Sequence, residues 1–403
     1  MTRPSNSPAP SCARPRVVIV VARAARQLAA AAQAAGWQPW VADVFGDVDT
    51  RALAAVWQAV PVGPGFAFRP RGLQRAVANL RTKAPAAPLV FGSGFEGAPA
   101  LLAKLSRGGR VLGSPASALA RLQDPLAWSR LLRRLSIPHP RVVLHEVPRR
   151  GRWVAKRSGE AGGAHVRFAA PGEALGVGEY AQRLVPGRAL SAVCLAGAHA
   201  VEITGYSEQL FWPTPRSPFR HAGSIALAAG TLPASLDAEV RQSLGRLVGA
   251  LGLRGLCGID FVLAPDGTWQ FIELNARPPA SFDLHVAAGA MFRAHLAACR
   301  DEHLPTLHPR ARCRAQLVYF ASSAIRIPNS IDWPDWVADR PLPGSRLPPG
   351  APVCTLQAAG ATSASARERL HRRLDRLRGW LGDADRRLPV TSLDILAGEH
   401  THE

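Results

Sequence analysis

The stretch GLRGLCGIDFVLAPDGTWQFIELNARPPAS, residues 252–281, contains two apolar segments joined by a tight turn. The segments 257–263 and 269–274 each have the length and the apolar character of a buried strand. Between them lies the sequence Pro-Asp-Gly-Thr, and a short connection that contains Asp-Gly is a strong signal for a β-hairpin. We therefore predict two antiparallel strands in this stretch.

The predicted hairpin carries polar side chains at positions that suit a metal site. Glu273 and Asn275 lie two residues apart on the second strand and so share one face, and Asp260 lies on the first strand. Two carboxylates and an amide oxygen, with Arg277 next to them, suit a hard divalent cation that also binds phosphate oxygens. The alternative is a surface hairpin whose polar residues face water. Against it, Asp260 stands among apolar neighbours, where an unpaired carboxylate is costly to bury.

Upstream of the hairpin, a lysine precedes a glycine-rich loop in WVAKRSGEAGGAHV, residues 153–166. Lys156 ends an apolar strand, and Gly159, Gly162 and Gly163 follow it. A glycine-rich backbone can close over phosphate groups and donate N–H hydrogen bonds, while a lysine adds a point charge. A solvated strand end followed by an ordinary loop would explain the same residues, so this motif is weak on its own.

A strand that crosses a Pro-Gly turn follows in EYAQRLVPGRALS, residues 179–191. Its backbone could present one hydrogen-bond donor and one acceptor to a purine edge, although a plain hairpin explains the pattern equally well. The order of the three motifs along the chain therefore carries more information than any one of them.

The charge composition suggests nucleic-acid binding at first sight but does not favour it in detail. The 403 residues include 49 lysines and arginines against 29 acidic residues, a formal charge of +20. Nucleic-acid binding usually needs this charge concentrated on one face. Only Lys83, Lys104 and Lys156 are lysines, and the arginines are scattered along the chain. We interpret the excess, including the Arg-rich helix predicted over 365–381, as a solvated surface.

The sequence favours a cytoplasmic protein. No apolar run approaches the ~20 residues that a membrane helix needs, and the run at 17–21 is too short for a signal-peptide core. The six cysteines lie far apart without a CxxC pair, which indicates reduced thiols. His295 and Cys299 are spaced i, i+4 on a predicted helix, but no second pair matches them, so we expect a structural helix rather than a zinc site.

The secondary-structure pattern predicts an α/β protein with several domains. Strands alternate with helices between residues 16 and 115, which predicts an open parallel sheet. The helices that we predict early in the chain lie over 24–35, 52–60, 69–81 and 116–135. A polar, proline-rich tail at 1–15 is expected to be disordered.

The order of the motifs along the chain resembles that of the ATP-grasp superfamily. The motifs are the lysine with its glycine loop, the Gln-x-x-x-x-Gly strand, and the paired strands that carry Asp and Glu-x-Asn. The resemblance covers residues 15 to about 300 and implies an α/β protein with the ATP-grasp fold. Its parts are an N-terminal open parallel-sheet domain at 16–115, an ATP-grasp domain at 116–304 with a lid at about 150–192, and a small C-terminal β-rich cap with a terminal basic helix at 305–403. In such proteins the nucleotide lies between two sheets, and a carboxylate is activated as an acyl phosphate that an amine then attacks.

The resemblance also implies ATP and Mg²⁺ or Mn²⁺ as cofactors, and it implies roles for individual residues. Lys156 matches the lysine that reaches the α- and β-phosphates, and Arg277 matches the arginine that steadies the transferred phosphate. The mobile loop over the triphosphate corresponds to Gly159, Gly162 and Gly163. The adenine contacts correspond to Gln182 and to the main chains of Arg183 and Val185. The metal ligands correspond to Asp260, Glu273 and Asn275.

Two positions depart from the family pattern. The helix start ahead of the lid often carries a second ATP-binding lysine, and here it offers Arg121, Gln123 and Asp124 instead. The acidic residue that commonly holds the ribose, just after the Pro-Gly turn, corresponds to Ala189. Both departures bear on nucleotide affinity and leave the predicted metal site unchanged.

Some C-terminal and N-terminal stretches resemble narrower groups within the superfamily. PLPGSRLPPGAPVCTLQAAG, residues 341–360, is similar to the cap of biotin-carboxylase-like members. VFGDVDT at 44–50, VCTLQAAG at 353–360 and WPDWVADRP at 333–341 look like ATP-grasp proteins that accompany C1-carrier genes, of the tetrahydromethanopterin and methanofuran type, in methylotrophic bacteria.

The resemblance implies an ATP- and Mg²⁺-dependent ligase that joins a small carboxylate to an amine, with ADP and phosphate as products, in C1-carrier cofactor biosynthesis. One alternative is a non-catalytic nucleotide sensor, motivated by the missing lysine and by Ala189. A second is a basic nucleic-acid-binding protein, motivated by the net charge. The expected partners are small-molecule carboxylate and amine substrates rather than a membrane or nucleic acid. The identity of both substrates and the choice between a monomer and a homodimer stay open.

Overall fold

The computed structural model describes residues 15–398 apart from positions 199 and 384. The tail predicted at residues 1–15 therefore lies outside the described residues except for Pro15, and so does Cys12. Among the described residues, no helix combines the length and the apolar character needed to cross a bilayer.

An open parallel sheet forms the N-terminal region, as the alternation of strands and helices predicts. Its elements are β1 (Val17–Val21), α1 (Arg26–Ala34), β2 (Gln38–Asp43), α2 (Val48–Leu53), β3 (Val56–Ala59), α3 (Pro70–Lys83), β4 (Leu89–Phe91), α4 (Pro99–Arg107) and β5 (Val111–Leu112). The strand order is β3-β2-β1-β4-β5, and every pairing is parallel. The order reverses between β1 and β4, and in open α/β sheets ligands bind beyond the carboxyl ends of the strands at such a point.

Two of the predicted helices differ from the observed structure. The helix predicted over 52–60 is wrong, because only the end of α2 falls in this range. Val56–Ala59 instead forms the strand β3, which pairs with β2, and its valine and tryptophan suit a sheet. The helix predicted over 116–135 is two helices, α5 (Ala116–Arg121) and α6 (Pro125–Arg134). Asp124 starts α6 because its carboxylate accepts hydrogen bonds from two main-chain N–H groups of the first turn.

A four-stranded antiparallel sheet lies where the lid is predicted. Its strands are β6 (Val142–Val143), β7 (Trp153–Arg157), β8 (Arg167–Ala169) and β9 (Glu179–Arg183), in the order β6-β9-β7-β8. Lys156 pairs with Tyr180 and Val154 pairs with Gln182 across β7 and β9. Directly paired residues share a face and alternate residues along a strand do too, so these four side chains lie on one face of the lid.

An eight-stranded antiparallel sheet forms the centre of the molecule. The remaining elements are β10 (Arg188–Ala196), β11 (Val201–Phe211), β12 (His221–Ala226), α7 (Ala234–Leu251), β13 (Gly255–Leu263), β14 (Trp269–Asn275), α8 (Ala288–Cys299), β15 (Cys313–Phe320), β16 (Ile325–Arg326), β17 (Val337–Ala338), β18 (Arg346–Leu347), β19 (Pro352–Gly360), α9 (Ser363–Leu381) and α10 (Ser392–Gly398). The order in the large sheet is β14-β13-β10-β11-β12-β15-β19-β17, and β16 pairs separately with β18. The predicted hairpin is the pair β13 and β14, at one edge of this sheet.

The C-terminal strands β15, β19 and β17 continue the large sheet across the boundary predicted at residue 304. The terminal helix α9 covers β15 and β19, and it buries Leu370, Leu374 and Leu377 against them. The N-terminal sheet is tied to this region by a bidentate hydrogen bond from Arg26 to Asp339, with distances of 2.8 and 3.2 Å. The C-terminal region therefore packs against both the large sheet and the N-terminal sheet.

Candidate functional site

The hairpin at the edge of the large sheet brings two carboxylates together. Asp260 of β13 lies directly opposite Glu273 of β14, and Gly258 lies opposite Asn275, so the three predicted metal ligands share one face. The register shifts next to Asp260 because Ile272 is an extra residue in β14. Such β-bulges often lie beside active sites, where they change the direction of a side chain.

A chain of hydrogen bonds links these ligands to the predicted phosphate-binding arginine. Asn275 donates from Nδ2 to Oδ2 of Asp260 at 3.3 Å, and its Oδ1 accepts from Nη2 of Arg277 at 3.1 Å. Arg277 also donates from Nε to Oε1 of Glu96 at 2.6 Å. Glu96 belongs to the loop after β4, so the N-terminal sheet contributes directly to the site.

The carboxylates at the hairpin are half-buried in the cleft, and their pKa values respond to this desolvation. Burial raises the pKa of Asp260 to about 7, and the neighbouring Glu273 carboxylate raises it further against the effect of Arg277 and Lys156. Burial also raises the pKa of Glu273, while Lys156 and Arg277 oppose this change. The pKa of the Lys156 ammonium is lowered by burial, although the two carboxylates favour its charged form. The lysine therefore lies close enough to both carboxylates to interact with them.

A cavity of about 220 Å³ lies between the lid sheet and the large sheet. Its floor is one face of β10, β11, β12 and the hairpin, including Ser191, Gln209 and Ser224. Its roof is the lid, with Val154, Lys156 and Gln182, and one end is the connection 183–185 between the two sheets. A second cavity of about 90 Å³ adjoins it below Lys156 and extends towards α5, α6 and the loop after β4.

The structure brings every predicted site residue to these two adjoining cavities. Ten of them line the larger cavity: Lys156, Gly162, Gly163, Gln182, Arg183, Val185, Asp260, Glu273, Asn275 and Arg277. Gly159 lines the smaller cavity, which also borders Lys156, Glu273 and Arg277. The main-chain N–H of Arg183 donates to the carbonyl of Arg141 at 2.9 Å, so this N–H already has a partner within the protein.

Other residues that the sequence analysis singled out have structural partners instead. Nδ1 of His295 accepts a hydrogen bond from the N–H of Leu256 at 2.9 Å, and its Nε2 donates to the carbonyl of Leu112 at 3.3 Å. Within the described residues, no group of three or more His, Cys, Asp or Glu side chains is arranged to hold a metal ion. The five cysteines of the described part, which excludes Cys12, carry free thiols. Both ring nitrogens of His295 are therefore engaged by main-chain groups inside the protein.

The glycine loop of the lid contacts both neighbouring lobes. On one side, a Cβ added at Gly163 would lie 2.0 Å from the carbonyl oxygen of Phe219, and the N–H of His221 donates to the Gly162 carbonyl at 2.9 Å. On the other side, a Cβ at Gly97 would lie 2.9 Å from the carbonyl oxygen of Gly159. Only glycine permits these approaches, so the lid is closed over the cavities.

The structure adds three polar residues that the sequence analysis did not assign to the site. Burial would raise the pKa of Glu96, but Arg277 and Arg23 outweigh this effect and lower it. Burial together with Lys156 lowers the pKa of His165 to about 4, and burial together with Arg277 lowers that of His221 to about 4. Glu96 had a sequence signal, since it interrupts the glycine-rich GSGFEG after a strand, whereas the histidines had none.

The hairpin residues fit a divalent cation. Two half-buried carboxylates lie opposite each other, and their desolvation together with their mutual repulsion raises the pKa of Asp260. Two carboxylates and one amide are fewer ligands than an all-protein cage needs. A cation that keeps open positions for phosphate oxygens, as Mg²⁺ does, matches this donor set.

The molecule is thus an α/β protein with a polar cleft between a small four-stranded sheet and a large sheet. Comparison with known families is then specific. Residues 123–281 match the sequence model of the ATP-grasp domain. The match includes the lid, the connection to the large sheet and the whole hairpin.

Solved structures share the fold over almost the whole chain. A biotin carboxylase from Campylobacter jejuni has a TM-score of 0.70 and 10% identity, covering 95% of each chain. The N5-carboxyaminoimidazole ribonucleotide synthetase from Thermus thermophilus has a TM-score of 0.65 and 17% identity, covering 89% of this chain and 98% of its own. An L-amino acid ligase from Bacillus licheniformis has a TM-score of 0.66 and 14% identity, covering 90% and 98%. No curated protein sequence matches significantly.

Proposed function

We propose that the protein is an ADP-forming ligase that uses ATP and Mg²⁺ to activate a small carboxylate as an acyl phosphate and joins it to an amine. One observation carries the proposal. Asp260, Glu273 and Asn275 share one face of a hairpin directly beneath Lys156 of a closed lid, and all four line one cavity. The similar solved structures include a biotin carboxylase, a carboxyaminoimidazole ribonucleotide synthetase and an L-amino acid ligase, which supports this class of chemistry.

The described residues divide the work of binding between the two sheets. The connection 183–185 and Gln182 bind the base, and the floor of the cavity holds the rest of the nucleotide. Lys156 and the N–H groups of the glycine loop neutralise and orient the phosphates from above. Asp260, Glu273 and Asn275 hold the Mg²⁺ ion, which when bound neutralises phosphate charge and aligns the phosphate oxygens.

Arg277 stabilises the charge on the phosphoryl group that is transferred. Its guanidinium lies between Asn275 and Glu96, so both its position and its orientation are fixed before substrate arrives. Phosphoryl transfer needs little covalent chemistry from the protein, and preorganised charge supplies most of the rate enhancement. The closed lid excludes water, which protects an acyl phosphate from hydrolysis until the amine attacks.

The test is a measurement of ADP release by the purified full-length protein with Mg²⁺, ATP and a panel of carboxylates and amines. We expect release that needs both an acceptor carboxylate and Mg²⁺. Glu273→Gln and Lys156→Ala should each lower the rate by roughly two or more orders of magnitude. Asp266→Asn is the matched control, because Asp266 lies in the exposed turn of the same hairpin. Unchanged ADP release in both active-site variants would contradict the proposal.

The same assay separates the alternatives. Tight ATP binding without phosphate release across the whole panel would favour a nucleotide sensor. Two features of the sequence motivate this alternative: residues 121–124 contain no lysine, and position 189 is an alanine. Nucleic-acid binding would have to show an affinity that falls steeply with salt in a gel-shift series.

The narrower part of the proposal concerns the pathway. The stretches at 44–50, 333–341 and 353–360 resemble proteins associated with C1-carrier genes, so furan- and pterin-linked amines belong in the acceptor panel beside amino acids and polyamines. A cytoplasmic location is proposed on the free thiols of the described cysteines. A homodimer also remains a proposal, to be tested by light scattering.

A further inference from the structure

The C-terminal segment returns to the centre of the molecule and is anchored there before α10 begins. The N–H of Phe211 in β11 donates to the carbonyl of Val390 at 2.8 Å, and the N–H of Val390 donates back to Phe211 at 2.9 Å. The first turn of α10 is capped locally, since the N–H of Thr391 donates to Oδ2 of Asp394 at 2.7 Å and Thr391 Oγ1 accepts from the N–H of Asp394 at 3.4 Å. The segment therefore has a defined entry point and a defined helix start.

Ser392 then ties α10 to the turn that leads from the lid into the large sheet. Its side chain is buried, and Oγ accepts from the N–H of Ala189 at 2.8 Å while it donates to the carbonyl of Gly187 at 2.8 Å. Gly187 and Ala189 flank the point where the connection 183–185 enters β10. One hydroxyl thus fixes the helix to the part of the chain that borders the larger cavity.

The next turn of α10 reaches the cavity itself. Leu396 is 9% exposed and lines the 220 Å³ cavity together with Val185 and Phe211. Leu393, one turn earlier on the same helix, is 43% exposed and does not line the cavity. The helix therefore closes the cavity at its hinge end with one apolar side chain and turns its other leucine to solvent.

We propose that α10 is a wall of the nucleotide site and that Leu396 contacts the nucleoside part of ATP. This inference rests on the proposed function, because it assumes that the larger cavity holds the nucleotide. After the Pro-Gly turn the chain has Ala189, which carries no polar side chain and whose N–H is bound to Ser392. Apolar contact from Leu396, Val185 and Phe211 supplies binding free energy at this end of the cavity.

The test compares Leu396→Ala with Leu393→Ala in the full-length protein, by calorimetric titration with ATP and with adenosine. Losing a buried leucine contact should weaken binding of both ligands by the same factor, roughly fivefold to thirtyfold. Leu393→Ala should match the wild type, and Leu396→Met, which preserves the volume, should restore most of the affinity. A Lys156→Ala variant, in contrast, should lose affinity for ATP and keep its affinity for adenosine.

The outcomes separate this inference from the proposed function. Wild-type protein that binds neither ligand would contradict both. If the wild type binds and Leu396→Ala binds equally well, only the role of α10 is overturned. Tighter binding by Leu396→Ala would overturn that role too, because the helix would then obstruct the site. Melting temperatures without ligand are measured for each variant, and Leu396→Met keeps the test decisive if Leu396→Ala unfolds.

Discussion

The carboxylate of Glu96 accepts a 2.6 Å hydrogen bond from Nε of Arg277, although 181 positions separate the two residues. Glu96 follows β4 of the N-terminal sheet, and Arg277 follows β14 of the large sheet. Both side chains are largely buried, with 16% and 14% exposure. The N-terminal domain therefore positions the arginine that we assign to the transferred phosphate.

Glu96→Gln should impair catalysis more than nucleotide binding. The amide keeps a hydrogen-bond acceptor but removes the charge that holds the guanidinium, so Arg277 should lose its orientation. We expect kcat for ADP release to fall by roughly tenfold to a hundredfold and the Kd for ATP to change by less than about threefold. Stability should fall by about 1–3 kcal/mol, measured by urea unfolding.

The control for Glu96 is Glu368→Gln, which removes the partner of Arg372 on an exposed face of α9. Exposed ion pairs contribute little, so this variant should match the wild type in rate and stability. A normal kcat in Glu96→Gln would show that Arg277 does not need its partner.

Substitution of Gly163 should prevent closure of the lid. A Cβ at this position would lie 2.0 Å from the carbonyl oxygen of Phe219, a main-chain atom that cannot move aside easily. We expect Gly163→Ala to raise the KM for ATP and lower kcat, with roughly a hundredfold loss in kcat/KM.

Gly162→Ala is the matched control for Gly163→Ala. Both glycines have positive φ, at 82° and 70°, so alanine strains the backbone at each, but nothing lies within 4 Å of a Cβ at Gly162. The difference between the two variants therefore measures the contact with Phe219 alone. Equal losses in kcat/KM would attribute the effect to backbone strain and would contradict the proposed docking of the lid.

Asp43 should make the stability of the protein depend on pH. Its carboxylate is fully buried at the end of β2, and burial raises its pKa from 3.8 to about 6, although Trp57 donates to it at 2.7 Å. Because the folded state binds this proton more tightly than the unfolded state, the group destabilises the fold increasingly as the pH rises from about 4 to about 6. Above that range the cost is constant.

Asp43→Asn removes this titration. The stability of the variant relative to the wild type should therefore increase by about 2–3 kcal/mol between pH 4 and pH 6.5, measured by urea unfolding at each pH. A constant difference across this range would mean that Asp43 titrates normally in the folded protein.

Much of the fold could be predicted from local patterns. The apolar run at 17–21, the hairpin with its Asp-Gly turn and the Arg-rich helix α9 each carry their signal within a few neighbouring residues. The failures have local causes as well, since Asp124 and Pro125 start a new helix inside a segment that looks continuously helical. The strand β3 resembles a helix in sequence because its flanking alanines outweigh Val56 and Trp57.

The site could be predicted only in part. Residues of one hairpin or one loop, such as Asp260 with Glu273, are close in space because the local geometry requires it. Glu96, His221 and Leu396 reach the cavities through the packing of distant segments, and no spacing in the sequence encodes that approach. The bulge at Ile272 could not be predicted either, because an extra residue in one strand appears only when the two strands are paired.

The proposed function requires that Asp260, Glu273 and Asn275 hold the metal of a metal–nucleotide complex beneath Lys156. Calorimetric titration of the full-length protein with ATP, with and without Mg²⁺, tests it most directly. We predict that Mg²⁺ tightens ATP binding by at least roughly tenfold in the wild type and has no such effect in Glu273→Gln, whereas Asp266→Asn behaves like the wild type. ATP binding that is independent of Mg²⁺, or equally enhanced by Mg²⁺ in Glu273→Gln, would show that these three residues do not hold the metal.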